Sequence, residues 1–174
     1  IIVGHSETGV IPKFDTLYTV IRLTSAGLVR TLPGDYGATL DIVPVDWVAD
    51  GVVAAVESFE KTVGRTLHLV SDAPVTLKDI NGVCAEFPSF LVPRYVPRHL
   101  FDVNALGSVE RRYYREVISL YESYFWRKVR FARESTRETF PAAPYSSGPA
   151  LLRTAFRYAL KAGYFGRDGR HAAR

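Results

Sequence analysis

The chain has no methionine, a single cysteine, and no run of about eighteen apolar residues. Each absence excludes something. Cys84 has no partner for an internal disulfide, which fits a reducing compartment. Without a long apolar run there is no spanning helix. The first residues also lack the basic start and apolar middle of a signal peptide, so a cytoplasmic location with at most peripheral membrane contact is the expectation. No His/Cys cluster has metal-ligand spacing, so no metal site is expected. There is no internal repeat and no low-complexity tract. Lacking methionine, the sequence as written has no translation start. Its opening Ile1-Ile2-Val3-Gly4 reads as a buried strand entered partway, which places a missing N-terminal half upstream and inside the same fold.

What is present is globular material: 174 residues, 47% hydrophobic, enough for one domain with a sizeable core. The net charge of +4 conceals an asymmetry. Residues 1–93 hold 6 basic and 11 acidic side chains, a balance of −5, and residues 94–174 hold 16 basic and 7 acidic, a balance of +9. The change falls in the stretch Pro88 to Pro97, a natural junction. The chain thus divides into residues 1–87, a proline-bearing junction at 88–108, and 109–174.

Hydrophobic period places the elements. Ile1 to Val3 is a strand and Gly4-His5-Ser6-Glu7-Thr8-Gly9 the loop leaving it. Phe14 to Leu28 carries Leu17, Tyr18, Ile21 and Leu28 at helical spacing. Gly34-Asp35-Tyr36-Gly37 is turn chemistry. Leu40 to Val43 is a strand that meets Pro44 and becomes a helix through Val45, Val48, Ala49, Val52, Val53 and Val56. Asp46 has the place of a cap or first-turn acid, and Gly51 predicts close approach of a neighbouring layer. Thr66 to Val70 alternates as a strand. Thr76 and Asp79 have capping-box spacing before a helix to about Phe87. This alternation of strands and helices is the pattern of a parallel α/β sheet, and three strands leave too little sheet to bury both helical layers.

Beyond the junction, Val109 to Phe131 reads as one amphipathic helix. Tyr114, Ile118, Tyr121, Phe125 and Val129 form a line, with Arg111, Arg112, Arg115, Glu116, Glu122 and Arg127 off it. Interleaved aromatic and basic residues suit nucleic acid or an anionic membrane. Their single-face period is what packing requires, so a core or lid role is favoured and no nucleic acid is expected. A Pro/Ser/Gly loop from Phe140 to Pro149, an amphipathic helix from Ala150 to Ala162, and a frayed tail from Gly166 complete the reading.

Three strings in this order, I-I-V-G-H-S-E-T-G at 1–9, L-D-I-V-P-V-D-W-V-A-D at 40–50 and G-R-T-L-H-L-V-S at 64–71, carry a resemblance. The chain resembles the C-terminal half of extended short-chain dehydrogenase/reductases, within them the fatty acyl-CoA reductase and thioester reductase group with male-sterility-like NAD-binding domains. The resemblance covers residues 1–87 well and the remainder loosely. It implies the C-terminal part of a Rossmann-like parallel sheet, with a mostly helical extension over the acyl site. Tyr124-Phe125-Trp126 and Val129-Arg130-Phe131 resemble that extension.

The resemblance further implies NADPH, or NADH, as cofactor, bound mainly by the missing half, and an acyl-CoA or carrier-bound acyl thioester as substrate. Such enzymes need a Gly-rich pyrophosphate turn and a Tyr and Lys four residues apart. Neither has its place here, so no catalytic residue is assigned and this portion alone is expected to be inactive. The loop after the first strand passes beside the nicotinamide and the reacting carbonyl in the family. That assigns Ile1, Val3 and Gly4 to the cofactor and His5 and Ser6 to the substrate.

A solvated loop histidine is the bland alternative for His5, and His68 reads as a structural or surface residue. Asp46 and Asp50 read first as cap and surface partner, and Cys84 as an inert core thiol. Two rival functions stay open: another extended dehydrogenase, such as a nucleotide-sugar epimerase or dehydratase or a hydroxysteroid-type enzyme, and a non-catalytic module binding membrane or nucleic acid.

Overall fold

Two short strands set the frame. In the computed structural model, which describes residues 1–140 and 148–166, β1 (Ile2–Val3) pairs in parallel with β4 (Val43–Pro44), Ile2 opposite Val43 and Val3 opposite Pro44. Parallel neighbours need a crossover. Here it comprises α1 (Thr16–Ser25), β2 (Thr31–Pro33) and β3 (Thr39–Leu40). The chain then leaves β4 directly into α2 (Val45–Glu57), with Pro44 as N-cap, where its missing N–H leaves no helical bond unmade. After α3 (Phe59–Thr62), β5 (Val75–Thr76) pairs antiparallel with β3.

The predicted capping box opens α4 (Leu77–Ala85): Thr76 Oγ1 accepts from the Asp79 amide at 3.1 Å, and Asp79 accepts from the Thr76 amide at 2.9 Å. β6 (Arg94–Val96) pairs in parallel with β2. α5 (Ser108–Glu116), a 3-10 turn over Ile118–Phe125, α6 (Glu134–Thr139) and α7 (Pro149–Lys161) follow. The class is mixed α/β, as expected. Among the described residues the strands form three two-stranded ladders, two of them parallel.

One core runs through these elements. Tyr18, Leu32, Ile42, Leu77, Ile118, Leu152 and Phe156 are wholly buried within it. Rings from both ends of the chain meet there: Phe14 stacks on Tyr164 at 4.4 Å, and Phe165 sets its edge against Phe90 and Phe156. Each such side chain contributes about 1.5–3 kcal/mol by leaving water. α7 docks on α4, where Arg153 grips Glu86 through two 2.6 Å hydrogen bonds.

The most apolar helix is the exception. No residue of α2 is buried, and Val52, Val53 and Val56 are 54%, 55% and 68% exposed. Phe59 and Val63 extend the same open apolar surface. An apolar helix of this kind is ordinarily an interior one.

Several sequence expectations need correction. Thr66 to Val70 forms no ladder. Its backbone is held from the side instead, with the His68 carbonyl accepting from Thr136 Oγ1 at 3.1 Å and His68 Nδ1 lying 2.9 Å from the Ala132 carbonyl. Leu69 packs directly over Gly51, the close approach that glycine predicted. The helix expected over 109–131 breaks at Val117 (φ −127°, ψ −56°) and ends by Trp126. Tyr114, Ile118 and Phe125 of its aromatic line still reach the core, while Val129 stays exposed. The junction at 88–97 contains a strand that sequence reading left out, and so does 31–33. Most of the loop expected at 140–149 and the tail beyond Gly166 lie outside the described residues.

Candidate functional site

β1 and β4 end side by side, so the loop after Val3 and the start of α2 emerge from one carboxyl edge. In open parallel sheets that edge is where ligands bind. The loop closes on itself: His5 N–H donates to the Val10 carbonyl at 3.0 Å and Gly9 N–H to the His5 carbonyl at 2.8 Å. Closure brings Gly4 so near Gly9 that a β-carbon on Gly4 would sit 2.1 Å from the Gly9 carbonyl oxygen. Gly9 takes φ +71°, and its own β-carbon would meet the Thr154 carbonyl oxygen of α7 at 2.6 Å. The wholly buried Tyr18 of α1 accepts the Gly4 amide at its hydroxyl, at 3.1 Å. Burial, countered in part by that bond, pushes the Tyr18 phenol up.

From the other side, α2 supplies Asp46. Its Oδ1 accepts the Ser6 amide at 2.8 Å and its Oδ2 the Ser6 hydroxyl at 2.5 Å. His5 Nε2 lies 4.0 Å from the same Oδ2, beyond hydrogen-bond range, and His5 Nδ1 accepts from the Glu7 amide at 3.2 Å. Partial burial opposes ionisation of Asp46, but the two bonds from Ser6, the bond from its own amide and the neighbouring His5 outweigh it, and the carboxyl stays below its usual range.

His5, Ser6 and Gly4 therefore share one loop at the carboxyl edge. Val3 is wholly buried beneath it. Ile1 stands at the opposite end of the strand, where its backbone nitrogen lies 2.6 Å from the Asp41 carbonyl oxygen. Near that far end lies an apolar cleft of about 380 Å³, open mouth included, bordered by Ile1, Leu17, Leu40, Tyr95, Tyr121 and Tyr124. Asp46 stands in the first turn of α2, one of the two places the sequence allowed it, with Pro44 as the cap; what sequence reading missed is its hold on Ser6. Its signal was available: an acid in the first turn after one parallel strand faces the loop after the adjacent strand. Asp50 is exposed, and Cys84 is buried with its thiol pushed up to about 12 by desolvation. Among the described residues no group of three or more His, Cys, Asp or Glu side chains is placed to hold a metal. No described helix is long and apolar enough to cross a membrane.

The residues present do not fit a dinucleotide pyrophosphate. The first loop is closed tightly on its own backbone at Gly4 and Gly9 and leads into α1 only at Thr16. At the α2 N-terminus, a carboxylate occupies the first turn, where phosphate charge would need to sit.

Comparison with known proteins finds a family match and similar structures. Residues 1–52 match the model of an NAD-binding family described as male sterility protein. The terminal R domain from the myxalamid PKS-NRPS biosynthetic pathway is similar in structure, with a TM-score of 0.67 and 22% identity over 94% of this chain and 43% of that one. A thiolation-reductase di-domain from an archaeal non-ribosomal peptide synthetase is similar at TM-score 0.65 and 18% identity, over 94% of this chain and 35% of the other. This chain therefore spans less than half the length of either structure. A search of curated proteins gave no match. Residues 1–52 are thus similar to the male sterility protein family, and the chain as a whole has a fold similar to part of these two reductase domains.

Proposed function

We propose that this chain is the substrate-side portion of an NAD(P)H-dependent reductase that converts a carrier-bound or CoA-bound acyl thioester to an aldehyde or alcohol. The observation that supports the reading best is the convergence of Gly4, His5 and Ser6 at the carboxyl edge of a parallel strand pair that itself lies in the family-matched segment. A carrier-bound thioester is favoured because one structural neighbour is a thiolation-reductase di-domain. NADPH is favoured over NADH as the donor for a reductive reaction. The backbone of β1 and Gly4 borders the cofactor, and His5 faces the acyl carbonyl.

Cofactor phosphates are held by a preceding half of the fold, which also covers α2. The open apolar surface of Val52, Val53, Val56, Phe59 and Val63 supports this. In this arrangement residues 1–87 complete the nucleotide-binding layer, 88–108 form the junction, and 109–174 the substrate-side extension. The test is to incubate the full-length protein with NADPH and an acyl group on a phosphopantetheinylated carrier or on CoA. Loss of NADPH absorbance with aldehyde or alcohol formed is the expected result. An unchanged cofactor with both substrates overturns the proposal.

A further inference from the structure

The first loop is held at three places. Tyr18 takes the Gly4 amide, α7 backs Gly9, and Asp46 binds both the amide and the hydroxyl of Ser6. The first two act where the loop leaves the strand and where it turns back. Asp46 alone among them acts at its tip, beside His5, across 40 residues of sequence and from a different element. Both carboxylate oxygens are used, and both bonds are charge-assisted, the strongest class of protein hydrogen bond.

We infer that Asp46 is the positioning residue of this site, holding the loop through Ser6 so that His5, and not Ser6, meets the substrate. The inference rests on the proposed reductase reading for its substrate, while the loop-holding role stands on the geometry alone. Two consequences follow from the bonding. The Ser6 hydroxyl proton is committed to Asp46 Oδ2 and is not available to a ligand. In neutral His5, Nδ1 accepts from the Glu7 amide, so the ring proton is on Nε2, which makes no hydrogen bond within the loop. That N–H is the donor offered to an acyl carbonyl oxygen.

The test is made in the full-length protein with Asp46→Ala, Asp46→Asn, Ser6→Ala and the Asp46→Ala/Ser6→Ala double variant. Amide hydrogen exchange of residues 4–10 is expected to rise about a hundredfold or more in Asp46→Ala, the worth of the two charge-assisted bonds. Exchange in α4 should remain as in the parent. Asp46→Asn keeps one acceptor for the Ser6 amide and should recover part of the protection. The double variant should match Asp46→Ala, because Ser6 acts only through Asp46. In turnover, KM for the thioester is expected to rise about tenfold with a smaller change in kcat.

Unchanged exchange over 4–10 in Asp46→Ala overturns the inference whether or not the enzyme turns over. So does a double variant clearly worse than Asp46→Ala. Failure of the parent protein to consume NADPH, with exchange behaving as expected, overturns the reductase reading and leaves the loop-holding role standing.

Discussion

Replacing Gly4 by alanine puts a methyl group where the structure has no room. The new β-carbon falls 2.1 Å from the Gly9 carbonyl oxygen and 2.5 Å from its carbon. Both are backbone atoms and cannot swing aside as a side-chain end does. Relief requires the two glycines to separate by about 1 Å, an overpacking strain of about 1–3 kcal/mol. That separation pulls on the bonds from Gly9 N–H to the His5 carbonyl and from His5 N–H to the Val10 carbonyl, each worth about 1 kcal/mol. The total loss is then about 2–5 kcal/mol, a large part of the ~5–15 kcal/mol that holds a domain together.

Urea denaturation followed by circular dichroism measures it as a lowered midpoint at unchanged slope. Gly82→Ala is the control. Gly82 lies inside α4 with nothing within 4 Å of an added β-carbon, so this substitution should stabilise by about 0.5–1 kcal/mol. A Gly4→Ala loss below about 0.5 kcal/mol, or the same sign for both variants, would refute the closed-loop geometry.

Cys84 should resist a disulfide-exchange reagent at pH 8 while the protein is folded, since burial pushes its thiol up to about 12, and should react fully in denaturant. Rapid labelling of the native protein would contradict its placement in the core. Thr76→Ala removes the cap of α4 and should cost about 1 kcal/mol at neutral pH. The bonds from Thr76, first from its hydroxyl and then from its amide, hold Asp79 below the usual carboxylate range against the cost of burial. The folded value being the lower one, this stabilisation is present above about pH 4 and is lost as pH falls through the folded pKa. Urea midpoints measured from pH 7 to pH 3 should therefore fall less steeply for Asp79→Asn than for the parent. Parallel curves would show that Asp79 contributes nothing to acid sensitivity.

Local chemistry was read well and pairing poorly. The capping box at Thr76 and Asp79, the strand-to-helix joint at Pro44, the role of Gly51 and the limits of α7 each depend on residues close in sequence or on a helical period, and each is found where expected. β2 and β6 were invisible because three-residue strands carry no period, and Pro93 and Pro97 put β6 inside the junction. Their ladder joins residues more than 60 positions apart. Alternation at 66–70 describes a strand's two faces but supplies no neighbour, and without one the segment is held by side chains. The aromatic line at 114–125 marked the core face correctly, yet period alone does not report the break at Val117. At the site the loop was legible from the order of elements. The hold of Asp46 on Ser6 was passed over, because an acid at a helix start has a local use that draws attention from a distant partner.

The clasp of the Gly4–Val10 loop by α7 also bears on when this edge is complete. Gly9 rests on the backbone of Thr154, and the hydroxyls of Thr19 and Tyr164 meet at 3.2 Å across 145 residues. Contacts of such separation form late and slowly, because a long loop must close before they can form. Synthesis runs from the amino terminus, so the Gly4–Val10 loop emerges before α7 and waits for it. A nascent chain stalled before α7 has made the loop but not its backing, and it is in that interval that the edge beside His5 is open to proteases and chaperones.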